Sequence, residues 1–523
     1  MIARRTLLTA TTGIAAIAMT PPASATTRTS STRAARATLH LAPARTQLAA
    51  LRNRDASSRD LLEQYLQHIA KANPAVNAVV TLDADAARAA ADQADRHLRT
   101  TGKPLGPLHG LPMTVKDALE TKGMRTTSGS PDLSDHVPDQ DADAVALLRA
   151  AGAVIIGKTN VPVMCQDIQT SNPIFGTTKN PFDASKTTGG SSGGPAAAVA
   201  SGFTSLEVGS DLAGSLRLPA AYCGVYALRT SRGASPIVPT RGHIPRLPGW
   251  ATSSDMVTLG PMARTADDLD LLLDVLAAPA PADRAGWKID LPAPTKTSLD
   301  QYHVGIWADD AYCRVDADTR DLLDHVTWAL RNAGASIDAT TRPIDFDESN
   351  TLFQRLLYAT SSATAADKDF AADIAAADKI PADDPNGIYL HSRTMRHRDW
   401  CVADEKRQKL RGKWADYFAE HDVLITPAAP TAAIPDQTST PLPQRSITVD
   451  GTKRPYYDQT SWINLASVAG LPSVVVPAGK TADGLPLAFQ IIGPYLADRT
   501  VIDVAKHLAR RLPKPVQPPA FTA

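Results

Sequence analysis

The sequence predicts an α/β fold. Helical periodicity alternates with short apolar, β-branched runs, as in the helix over 142–151 followed by Val154-Ile155-Ile156. Hydrophobic residues make up 43% and charged residues 21%, the ordinary balance of a soluble globular protein. At 523 residues the chain is long enough for one large domain or for two to three ordinary ones.

The first helix of the domain starts at Ser57 or Ser58. Ser57 with Asp60 forms an N-cap pattern, and Leu61, Leu62, Tyr65, Leu66 and Ile69 share one apolar face. Asn73-Pro74 is expected to stop it. A strand over 78–82 and an alanine-rich helix over 84–98 follow. The run PLHGLPMTVKD, Pro107–Asp117, is apolar and ends in Lys-Asp. After Pro219 a recognisable pattern resumes only at Gly260–Arg264, with Thr265 and Asp268 starting another helix. Residues 277–298, rich in Pro, Ala and Asp, are the best linker candidate. A strand over 303–307, an amphipathic helix over 316–333 and a strand over 335–337 come next. Residues 343–399 carry no chemical motif and read as a segment that shapes a substrate mouth. Val423–Ile425, the small and β-branched run 464–477, and LPLAFQIIG at 485–493 complete the pattern.

Lysine plus arginine and aspartate plus glutamate each number 54, so the net charge is zero. That excludes the electrostatic footprint of a nucleic-acid binder and disfavours an anionic membrane partner. At the N-terminus, Arg4-Arg5 precede the mildly apolar Leu7–Met19 and an Ala23-Ser24-Ala25 cleavage pattern. Thirteen apolar residues are too few to span a bilayer. Residues 1–25 are therefore expected to be a signal peptide of the twin-arginine type, with a Sec signal as the alternative. No cysteine follows the apolar run, so no lipid anchor is expected there. Residues 26–43 read as a flexible lead-in and 513–523 as a tail. The four cysteines, Cys165, Cys223, Cys313 and Cys401, form neither a disulfide framework nor a C-x-x-C zinc pattern. Cys223 is expected to be a buried thiol, and pairing among the others is open.

The chemistry concentrates between Thr187 and Pro219. Two glycine-rich knots, GGSSGG at Gly189–Gly194 and SDLAGS at Ser210–Ser215, flank an alanine-rich run. Glycine lets backbone N–H groups approach a ligand closely, and each knot carries serine. Alone, either knot is an ordinary flexible loop and Lys116 an ordinary surface charge.

Together, the lysine run GLPMTVKD (Gly110–Asp117), the double-serine knot and the second knot, whose Ser215 lies 24 residues on from Ser191, resemble the amidase signature family, from about Leu48 to Arg510. The resemblance implies a single large α/β domain over 44–512, with a central mixed, twisted sheet covered by helices and a variable substrate-shaping region at about 343–457. It implies a Ser-Ser-Lys triad: Ser215 as nucleophile, Ser191 as proton relay across a cis peptide, and Lys116 as base. It places the oxyanion hole on the backbone of Leu212, Ala213, Gly214 and Ser215, with Ser192, Ser210, Asp211 and Arg217 in support. A serine hydroxyl needs a base, and a lysine must be neutral to act as one, which the apolar flank Met113-Thr114-Val115 favours. Two departures stand out. Ala213 replaces a usual glycine, so its backbone must avoid glycine-only angles, and Leu228-Arg229-Thr230 replaces a usual Leu-Lys-Pro.

Gly189–Gly193 also fits the G-x-S-x-G elbow of other serine hydrolases, but polar Asn180–Thr188 stands where a buried strand is needed. No lysine has serine three positions before it, which removes the S-x-x-K class, and neither knot closes with G-K-[ST]. The expectation is an exported amidase that hydrolyses a small-molecule amide through an acyl-enzyme, as a monomer or homodimer. No metal, cofactor or nucleic acid is expected. The alternatives are esterase or other serine hydrolase activity on the same fold, or an inactive exported binding protein.

Overall fold

Ser57 accepts a hydrogen bond from the Asp60 N–H and begins the helix the spacing predicts. The structure, a computed structural model, describes residues 38–244, 251–363, 365–381, 384 and 387–521. The expected signal peptide and most of the lead-in lie outside the described residues.

In chain order, α1 (Ala44–Arg52) and α2 (Ser58–Val76) lead to β1 (Val79–Leu82), α3 (Ala84–Thr101) and β2 (Pro112–Lys116). Next come α4 (Asp143–Ala150), β3 (Val154–Thr159) and the short pair β4 (Ser171–Asn172) and β5 (Gly176–Thr177). The knots follow, with α5 (Gly193–Ala200), β6 (Leu206–Asp211), α6 (Arg217–Cys223), β7 (Tyr226–Arg229), β8 (Thr258–Ala263) and α7 (Ala266–Leu276). The second half holds β9 (His303–Ile306), α8 (Ala317–Asn332), β10 (Ser336–Asp338), α9 (Phe346–Ser362), α10 (Asp367–Ala377), α11 (Ile388–Arg393) and α12 (His397–Glu420). It closes with β11 (Val423–Pro427), β12 (Ser446–Val449), β13 (Thr452–Pro455), α13 (Ser461–Ala469), β14 (Ser473–Lys480), β15 (Pro486–Ile492) and α14 (Asp498–Ala509).

Eight strands form the main sheet in the order β10-β9-β11-β15-β14-β7-β8-β6. It is mixed: β10, β9 and β11 run parallel to one another, and the remaining pairs are antiparallel. A second sheet, β1-β3-β2, approaches it at β6, where the Thr114 hydroxyl on β2 donates to Glu207. β2, β3, β6, β7, β8, β11 and β15 are buried along their whole length. Strands covered on both faces read as continuous apolar runs rather than alternations.

Three expectations are corrected. Helix α2 does not stop at Asn73-Pro74: it runs through Pro74 to Val76 and ends on left-handed Asn77. The proline sits in the last turn, and the Asn73 side chain holds the exit by accepting from the Ala78 and Val79 N–H groups. The stretch after Pro219 is not patternless at its start, because α6 runs on to Cys223 and β7 follows at Tyr226–Arg229. Residues 277–298 hold no helix or strand but link no two domains, since one unit spans His40–Ala523.

Candidate active site

Lys116 is the last residue of β2 and is fully buried. Its Nζ lies 2.8 Å from Ser191 Oγ, 2.9 Å from Ser192 Oγ and 2.8 Å from Ser210 Oγ. These three hydroxyls come from the first knot, whose Gly190-Ser191 peptide is cis, and from the end of β6. Gly190 fits because a Cβ there would come within 2.6 Å of the Asp167 carbonyl. Burial lowers the Lys116 pKa from its ordinary value, against the opposing pull of Cys165, Asp211 and Glu207. A neutral amine has two N–H groups and one lone pair, so only in the neutral form would one of the three hydroxyls donate into the nitrogen.

Ser215 follows β6 on the second knot and is half-buried. Its carbonyl accepts from the Ser192 N–H at 3.0 Å, which joins the two knots. Among the described residues its hydroxyl has no hydrogen-bond partner. The structure thus brings Lys116, Ser191, Ser192 and Ser210 into one hydrogen-bonded cluster and sets Ser215 beside it with its hydroxyl free. Gly214 carries φ +93°, and a Cβ there would meet Ile463 at 2.6 Å, so that position requires glycine. Ala213 keeps a negative φ, as an alanine must.

Of the four expected oxyanion-hole donors, the Gly214 N–H is already taken: it donates to Asp211 Oδ1 at 3.0 Å. The Leu212, Ala213 and Ser215 N–H groups have no acceptor among the described residues. Asp211 is the clamp of this turn. Arg217 forks onto it, Nε to Oδ2 and Nη2 to Oδ1, both at 3.0 Å, and Arg229 Nη1 reaches Oδ1 at 3.0 Å. All three side chains are fully buried. Burial alone would raise the Asp211 pKa, yet Arg217 and Arg229 hold it well below the usual carboxylate range. Arg217 further donates to the Ile463 carbonyl at 2.7 Å and to Ser467 Oγ at 2.6 Å, which ties the turn to α13.

Sequence reasoning missed Arg229 as part of the clamp and read its motif only as a departure. It also missed Cys165, which adjoins Lys116. Nothing in local sequence marks either, because both reach the site from distant segments. Residues of the 343–457 stretch pack close by: Leu212 and Ala213 lie against a core to which α9 supplies Phe346, Leu352, Phe353 and Leu356. From the other side, Tyr456 and Arg445 bond to Asp167, at 2.8 and 2.6 Å, beside the Gly190 backbone. The four cysteines carry no disulfide, and Cys223 is buried as expected.

The profile of the Amidase family matches residues 60–502, and the chain belongs to that family. It is therefore an enzyme of the amidase class, whose members cleave amide C–N bonds. It is 31% identical to the A subunit of the glutamyl-tRNA(Gln) amidotransferase of Synechococcus sp. (strain CC9902), over 87% of this chain and 93% of the relative. A crystal structure described as an amidase matches with a TM-score of 0.73 at 27% identity, over 90% of this chain and 100% of the other. A bacterial aryl acylamidase of the amidase signature family shares the fold, with a TM-score of 0.75 at 24% identity over 90% and 96% of the two chains.

Proposed function

We propose that this protein hydrolyses a small-molecule carboxylic amide to an acid and an amine or ammonia through a serine acyl-enzyme. The observation that carries the reading is a fully buried lysine held among three serine hydroxyls, next to a fourth serine open to substrate. Ser215 Oγ attacks the carbonyl carbon. Its proton passes to Ser191 as the Ser191 proton passes to Lys116, and the chain runs in reverse to protonate the leaving nitrogen. The Ser191–Ser215 contact closes as substrate arrives, since catalytic hydrogen bonds are often long before it does. The Leu212, Ala213 and Ser215 N–H groups face the developing oxyanion. Each such donor is typically worth about 2.7–4 kcal/mol. The same residues would cleave an ester.

The test is turnover of a panel of alkyl and aryl amides by wild type, Ser215→Ala and Lys116→Ala, with fluorophosphonate labelling of Ser215. Undiminished turnover by Ser215→Ala would overturn the assignment. Wild type that neither turns over nor labels would favour an inactive binding protein.

A second reading, one component of a tRNA-charging amidotransferase, is favoured by the similarity to the amidotransferase relative. The zero net charge speaks against it. Turnover by the purified chain alone, with light scattering at the mass of a monomer or homodimer, separates the two. We also propose export after cleavage near Ala25, supported by Arg4-Arg5, the apolar run and the Ala-Ser-Ala pattern. Mature protein outside the cytoplasm that begins at about residue 26, and its loss on replacing both arginines with lysine, would support the twin-arginine route.

A further inference from the structure

The proposed mechanism leaves one buried acid unused. Glu207 lies on β6, three residues before Ser210, and is fully buried. Among the described residues its carboxyl takes hydrogen bonds from the Thr114 hydroxyl and from the Val208 N–H, and it makes no ion pair. Thr114 and Lys116 occupy alternate positions of β2. Their side chains therefore leave the same face, roughly 7 Å apart along the strand. Thr114 thus ties the carboxyl about one strand repeat from the lysine.

Two cations act on this carboxyl, Lys158 more strongly than Lys116. Lys158 on β3 is fully buried, and its ammonium donates to the Leu119 carbonyl and, at 2.8 Å, to Thr121 Oγ1 while keeping its charge. The cross-strand neighbour on β8 is Met262, and α5, which packs against β6, carries only Gly, Pro, Ala and Val. Around Lys116 itself the titratable neighbours are Cys165, Asp211 and His243.

We propose that Glu207 is a positioning residue whose charge acts across Thr114 on Lys116 and so helps set the pH at which the lysine becomes a free amine. The inference rests on the proposed role of Lys116 as base. An ionised carboxyl at this range holds the ammonium, whereas a protonated one releases it. Burial pushes Glu207 up to about 8 while it pulls Lys116 down, and the charge on each favours the charged form of the other. Thr114 enters because its hydroxyl stabilises the charged carboxyl.

The experiment compares pH profiles of kcat/KM on one simple amide for wild type, Glu207→Gln, Thr114→Val and Lys116→Ala. Glu207→Gln keeps the shape and removes the charge, so the acid limb should move down by about one pH unit. Thr114→Val should move it in the same direction by less, and it carries the test if Glu207→Gln does not fold. A Glu207 that is merely structural would lower stability and leave the limb in place. Limbs that coincide with wild type, or that move up, overturn the inference. Turnover retained by Lys116→Ala would instead overturn the base assignment, so the two failures are distinguishable.

Discussion

Lys116 and Ser215 sit in opposite surroundings: one is shut away from water, the other is half-buried with its hydroxyl free. In the proposed mechanism each supplies a step that no neighbour can replace, so Ser215→Ala and Lys116→Ala should each lower kcat by at least about 10³-fold. Initial-rate kinetics on the best amide of the panel would check this. Because burial lowers the Lys116 pKa, activity should rise with pH through a limb below the ordinary lysine range near 10.4. A limb at or above that value would mean the lysine is not desolvated during turnover. Gly214→Ala forces a Cβ to 2.6 Å from Ile463 at φ +93°. It should cost about 1–3 kcal/mol of stability and displace Ser215, seen as a loss of kcat in the folded fraction. Asp211 has a depressed folded-state pKa. Its contribution to stability is therefore complete above about pH 4 and is lost only as acid titrates the folded carboxyl far below that.

Among the elements, the turn after β6 is held by charge and not by packing alone. Arg217→Met leaves Asp211 buried with one cation in place of two, and should destabilise by roughly 3–5 kcal/mol in urea unfolding. Arg229→Met tests the partner that the sequence did not reveal. Arg217→Met should also lower kcat, since Arg217 ties the Ser215 turn to α13 through Ile463 and Ser467. At the far end of the scale, Ser57→Ala removes only the cap of α2 and should cost about 1 kcal/mol with kcat intact. Caps of this kind were legible at Ser57 and Thr265, each of which accepts from the N–H three residues on; Asp316, read only as the first residue of its helix, does the same. So were β9 and β11, whose apolar runs are bounded by turn residues. Strand β7 was not legible, because Tyr226–Arg229 is short and ends in an arginine that only the buried Asp211 explains. The Asn73-Pro74 stop misled because a proline near a helix end need not terminate it when a side chain satisfies the exit.

Across the whole molecule, the site is an assembly of distant segments. Lys116 arrives on β2, the cis-linked Ser191 on the loop before α5, and Ser210 to Ser215 on the end of β6 and the turn after it. The residues that cluster around Lys116 could be picked out without coordinates because each lies in a short run with rare spacing, and the glycines mark where backbone must come close. The α/β class could be found as well, since buried strands and amphipathic helices leave local periodicities. Strand order, the Asp211 clamp with Arg229, the commitment of the Gly214 N–H and the closeness of Glu207 to Lys116 belong to the tertiary structure alone. They depend on pairings between segments tens to hundreds of residues apart, and burial there changes what a carboxyl or an amine does without leaving any mark on the residues next to it in the chain.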